Sequence, residues 1–255
     1  MQRKAKVTMD RVKYGAHLAA PDARLPMPEN VSYVDALAAL IASEDLIRKT
    51  CQEHMSPKAI TSACLFGFGV GNRALAVSSG FRTMVEQQNS LCALPLVRMH
   101  LDTLLRLYAG FWAANHQSFC HEVLMGAQIN RMKDADGHKM TDKFLVDKLT
   151  TRNPWVEDVY KQTSGYIHFS GRHIRSVMRM EDLGSGDILH GQLVIGPKDY
   201  DRQQEDFCES IRCVHHLNLI LDFALKDWFI RMCRPDGHIP DATEIWGDYE
   251  QQPES

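Results

Sequence analysis

The sequence has no uninterrupted apolar run approaching the ~20 residues that a membrane-spanning helix needs, so no membrane partner is expected. It has no cysteine framework either. Cys51, Cys64, Cys92, Cys120, Cys208, Cys213 and Cys233 are odd in number, contain no C-x-x-C pair and sit in apolar stretches, where they read as reduced, buried thiols. An excess of one charge is also missing. With 29 Lys and Arg against 32 Asp and Glu, the formal charge is −3, which excludes bulk attraction to nucleic acid but leaves room for a local basic groove. There is no G-x-S-x-G, H-E-x-x-H or P-loop, so no motif fixes a reaction. The opening residues have no apolar core of signal-peptide length, and a cytoplasmic location is expected.

What the chain has in quantity is apolar residues at helical spacing. At 255 residues and 44% hydrophobic composition, it can bury a core without disulfides or a structural metal. No internal repeat, low-complexity tract or interdomain linker divides it. A basic arm covers 1–29, a single helical bundle covers 30–234, and an acidic tail covers 235–255, with six acids and no Lys or Arg. The two ends read as solvated segments or, more sharply, as charges that pair with each other.

The body reads as mostly α, a bundle of six or seven helices. The first helix spans about Tyr33 to Met55, capped by Asn30 or Ser32. Ser56-Pro57 reads as cap and first helical residue of a second, ending near Asn89. A third, from Ser90 to about Asn115, is apolar over most of its circumference and belongs at the bundle centre, with Pro95 kinking it or marking its start. Shorter helices follow from about Gln117 to Met132, after Thr141, and from Asn153-Pro154 toward Ser164-Gly165. Two short strands around a Gly-rich turn predict a β-hairpin within 174–195. From about Tyr200 to Cys233 one long helix returns. Along it Phe207, Ile211, Val214, Asn218, Leu221, Leu225, Trp228 and Met232 step by fours and threes, a heptad seam with one polar member. It predicts a homodimer through this helix, or else an internal bundle helix.

Two clusters have the residue types for chemistry. Arg98, Asp102 and Arg106 fall within one ~80° stripe of the third helix. Read structurally, Asp102 is the counter-ion between two arginines in apolar surroundings; read functionally, one guanidinium remains to hold an anion such as a phosphate or carboxylate. The second cluster is Tyr160, Ser164, Tyr166, His168, Ser170, Arg172 and His173, where the helix breaks at Gly165. Here His168 is a candidate general base and Arg172 a candidate for stabilising negative charge; the plainer reading is a hydrogen-bonded histidine and a solvated arginine. Gly67, Gly69 and Gly71 follow no strand and read as close helix packing rather than a phosphate loop. His215 and His216 are adjacent, point about 100° apart and have no helical partner for zinc. No metal or cofactor is expected.

On these residues the chain resembles a family of uncharacterised bacterial all-helical proteins. The resemblance pairs Asn72-Arg73 with the Leu96 to Arg106 pattern Leu-x-Arg-x3-Asp-x3-Arg and the Tyr160-x3-Ser164-x3-His168 element, covering roughly Ile60 to His173. More distantly it resembles HEPN-type helical domains. Many of these are metal-independent ribonucleases of bacterial defence or toxin systems, with an Arg-x(4–6)-His motif at a dimer interface. Here that spacing occurs from Arg131 to His138, across the Asp136-Gly137 turn, and Lys161 stands upstream of His168 where the motif has arginine. The resemblance implies an antiviral effector that binds or cleaves RNA. His168, Arg172 and Arg98 would be catalytic, and Arg106, Asp102, Tyr160, Ser164, His173, Asn72 and Arg73 would contribute to binding. The competing expectation is a non-enzymatic helical scaffold or regulatory interaction module.

Overall fold

The structure is a computed structural model describing residues 27, 29–55, 60–182, 190–200 and 202–233. Apart from 27 and 29, the basic arm lies outside the described residues, as do the acidic tail, Ser56-Pro57 and the turn 183–189. The protein is mostly helical. Among the described residues, helices of nine residues or more are α1 (Tyr33–Glu53), α2 (Ser62–Glu86), α3 (Ser90–Trp112), α4 (His116–Leu124), α5 (Asp142–Thr150), α6 (Trp155–Ile167) and α8 (Cys208–Met232); α7 (Gly171–Arg175) is a single turn. No described helix is long and apolar enough to cross a membrane. After α7, β1 (Met178–Asp182) and β2 (His190–Leu193) pair antiparallel, Met178 opposite Leu193.

Side-chain caps set most of the boundaries. Ser32, Thr61, Asn89, Asn115 and Thr141 each accept a hydrogen bond from a backbone N–H in the first turn that follows, satisfying donors a helix start leaves open. Several expected boundaries move as a result. The cap of α2 is Thr61, and Asn89 does not end α2 but opens α3. The helix expected to reach Met132 stops at Leu124, where Gly126 takes φ 95°. Asn153 does not cap α6; Pro154 holds the cap position with no side-chain bond. Gly165 does not break α6, which runs on to Ile167. The last helix begins at Cys208, after a 3₁₀ turn over Gln204–Phe207, rather than near Tyr200.

Helix α8 runs through the centre, packed on α1, α2 and α3. The heptad seam faces inward: Phe207, Ile211, Val214, Asn218, Leu221, Leu225 and Trp228 are fully buried within one chain, and Met232 nearly so. Asn218 therefore sets no register between twin chains. Its Oδ1 takes a hydrogen bond from His100 Nε2 at 2.7 Å, while its Nδ2 donates to Ser43 Oγ at 2.9 Å and Ser78 Oγ at 3.1 Å, joining α1, α2, α3 and α8. Trp228 Nε1 donates to the Ala63 carbonyl at 2.8 Å. Its indole fills space that only glycine leaves open, because a Cβ on Gly67 or Gly110 would lie 2.8 Å from the ring.

Candidate functional site

The Gly-rich part of α2 has two sides. Gly67 and Gly71 face α8 and α1, where an added Cβ would collide with Trp228 and with Cys51 Sγ. Gly69 points away from the core, and a Cβ there meets nothing within 4 Å among the described residues. It opens onto a cleft of about 320 Å³. On the α2 side the cleft is lined by Leu65, Phe66, Gly69, Val70 and Arg73, residues that share one face by their three- and four-residue spacing. Helix α3 contributes Asp102, Thr103 and Arg106, and α4 contributes Cys120, Val123 and Leu124, with Ile129 beyond. A shallower hollow of about 420 Å³ adjoins it, sharing Arg106, Val123 and Ile129.

The polar end of the cleft belongs to a chain of alternating charges. Arg73 Nη2 lies 3.4 Å from Asp102, and Arg106 Nη2 lies 2.7 Å from Asp102 and 2.5 Å from Asp142; Arg98 Nη2 then lies 3.5 Å from Asp142. The guanidinium of Arg98 also sits 4.1 Å over the Tyr160 ring. The expected bridge of Asp102 between Arg98 and Arg106 is thus half replaced: Asp102 lies between Arg106 and Arg73, and Arg98 reaches Asp142. Asp142 is the first residue of α5, where the helix dipole also favours a carboxylate. Burial draws the Arg106 pKa down, but Asp102 and Asp142 outweigh it and hold the group above its ordinary value. Arg106 Nη1 is shielded from solvent and has no hydrogen-bond partner among the described residues.

Arg73 differs from the other two. Its Nε donates to Thr103 Oγ1 at 3.0 Å, which holds the guanidinium from behind, and 48% of its side chain stays exposed, against 8% for Arg98. Thr103 in turn donates to the Met99 carbonyl at 2.9 Å. The remaining titratable group of the cleft, Cys120, has its thiol pushed up to about 12 by burial.

The second cluster does not join this cleft. His168 caps α6 from outside and is exposed. Ser164 Oγ is tied to the Tyr160 carbonyl at 2.5 Å. His173 Nδ1 accepts from Ser170 N at 3.2 Å, and its ring stacks on Phe169. Arg172 falls on α7, but its side chain lies outside the described residues. Asn72 is exposed on α2 and is not among the cleft-lining residues. Of the residues expected to form a site, Arg73, Asp102 and Arg106 line the cleft and Arg98 and Tyr160 support it from behind. His168, Ser164 and His173 lie elsewhere.

Sequence reasoning missed Asp142, Thr103, Gly69 and the apolar face of α4. Asp142 is visible only as an acid in the first turn after a capping threonine. A grouping of Asp134, Asp136 and His138 is a turn rather than a ligand set: Asp134 is buried and accepts from the N–H groups of Asp136 and His138 and from Lys148 Nζ, which hold its carboxyl low. Comparison with known protein families, curated proteins and solved structures finds no match to this chain.

Proposed function

We propose that the protein is a non-enzymatic regulatory module whose cleft between α2, α3 and α4 takes up a small ligand. One observation carries the reading. The titratable groups lining the cleft are two arginines, an aspartate held by both and a thiol with its pKa raised to about 12. The carboxylate is engaged by both guanidiniums and the thiol is held protonated by burial, so neither is free to act as a base and the cleft is equipped to bind rather than to run general acid–base chemistry.

A second reading, RNA binding by a HEPN-like effector, draws on Phe169. Its side chain is 82% exposed beside exposed His168, and such a ring offers a stacking surface for unpaired bases. Cleavage would further require a cation near His168, and Arg98 is covered by Tyr160 and engaged with Asp142. Incubating the purified protein with total RNA in the presence of a chelator tests the cleaving form of that reading. Intact RNA is expected. Degradation by the wild type that His168→Ala abolishes would replace the regulatory reading with a ribonuclease.

A further inference from the structure

We infer that the cleft is a binding site for an amphiphilic monocarboxylate, an apolar chain ending in one carboxylate, such as a medium-chain fatty acid. This rests on the regulatory reading above and names its ligand class. The charge chain carries three arginines, Arg73, Arg98 and Arg106, against two aspartates, Asp102 and Asp142. Among the described residues one positive charge is left over, and it falls on the cleft side because Arg98 is covered. A single negative charge completes the alternation. A dianion such as a phosphate monoester would instead bring a second charge against Asp102, which lines the same cleft.

Arg73 supplies the fork. Thr103 and Asp102 orient its guanidinium from behind, and the exposed remainder of its side chain presents donors that a carboxylate accepts in pairs. Arg106 adds its charge close by, with Nη1 unpartnered among the described residues. Beyond the arginines the walls are apolar: Leu65, Phe66 and Val70 on one side, Val123, Leu124 and Ile129 on the other. Leu65 and Leu124 are large aliphatic side chains left partly exposed at this wall, surface that an apolar chain would cover. From Arg73 to Leu65 is eight helical residues, roughly 12 Å, or the reach of about ten carbons. Gly69 lies midway, and its missing side chain keeps the path open.

The test is titration calorimetry of the full chain with decanoate below its micelle concentration, beside decanol, inorganic phosphate and decylamine. Decanoate is expected to bind at one site per chain, at least tenfold more tightly than decanol, with no detectable heat from phosphate or decylamine. Gly69→Leu, which fills the cleft from a position free of contacts among the described residues, is expected to abolish binding without lowering the urea midpoint. Arg73→Gln is expected to weaken decanoate at least tenfold and leave decanol unchanged. Equal binding of decanol and decanoate, unchanged decanoate binding in Gly69→Leu, or no decanoate binding each overturns the inference. None of these results bears on RNA cleavage, so the regulatory reading stands or falls separately on the His168 experiment.

Discussion

Acidification offers a direct test of the buried network, because His100 is fully enclosed and its pKa is pushed down to about 4 by burial, with Arg73 adding to the depression and the bond to Asn218 opposing it. Since Asn218 Nδ2 is occupied by Ser43 and Ser78, its Oδ1 must accept, and His100 is neutral with the proton on Nε2. Nδ1 is then a shielded acceptor without a partner among the described residues. In the unfolded chain the same imidazole titrates near 6.5. Between these two pH values the unfolded state holds a proton that the folded state refuses. Stability from this group is therefore fully present above about pH 6.5 and drains away as pH falls toward 4, by about 1.4 kcal/mol per pH unit.

The perturbation is His100→Gln, which keeps a donor for Asn218 but cannot titrate. At pH 7 it is expected to cost about 2 kcal/mol from imperfect packing and hydrogen bonding. By pH 4.5 the wild type has lost about 2.5 kcal/mol through His100 alone, so the variant becomes as stable as the wild type or more so. Urea unfolding of both proteins at pH 7, 5.5 and 4.5 reads this out. Burial also lowers the pKa values of His116, His215 and His216, but these are common to both proteins and cancel in the difference. Parallel loss of stability in the two proteins would refute the assignment of His100 as a buried neutral histidine.

Three further outcomes follow from the packing. Asp142→Asn is expected to destabilise by about 2 kcal/mol, because Arg98 is covered while Asp142 is partly exposed and screened; in double-mutant cycles Arg98→Met should couple to Asp142→Asn more strongly than to Asp102→Asn. Gly67→Ala is expected to cost about 1–3 kcal/mol through collision with Trp228 and Phe229, whereas Gly69→Ala is expected to gain up to about 1 kcal/mol of helix propensity, both read as shifts in urea midpoint. Asn218→Leu is expected to lower stability by about 3 kcal/mol with no change in sedimentation mass, since its partners lie within the same chain; a change of mass would restore an intermolecular seam.

Helix existence was legible because it rests on local periods and caps, and boundaries failed where a competing local signal was stronger. Ser56-Pro57 carries the expected cap-and-proline pattern, yet Thr61 makes the bond that opens α2. The heptad steps of α8 were read correctly as a buried stripe but could not say whose surface buries it. Leu217, Phe229 and their neighbours widen that stripe into a surface that α1, α2 and α3 cover within one chain. A period identifies the face; it does not identify the partner.

The same distinction explains the candidate site. The four-residue steps from Arg98 to Asp102 to Arg106 correctly placed three charges on one side of α3, and the simplest pairing along a helix gave Asp102 both arginines. In the fold that stripe meets different helices along its length: Asp142 of α5 reaches both of its arginines, and Arg73 of α2 reaches the aspartate between them. Toward Arg98, α5 and α6 pack on α3 and deliver Asp142 and Tyr160; α2 packs beside Asp102 and delivers Arg73. Asp142 can therefore neutralise Arg98 and share Arg106, which releases Asp102 to hold Arg73 as well. The surplus positive charge moves from the covered Arg98 to the exposed Arg73, beside a glycine that leaves space open. Nothing local to α3 encodes that transfer, because it depends on which helices cross it and where.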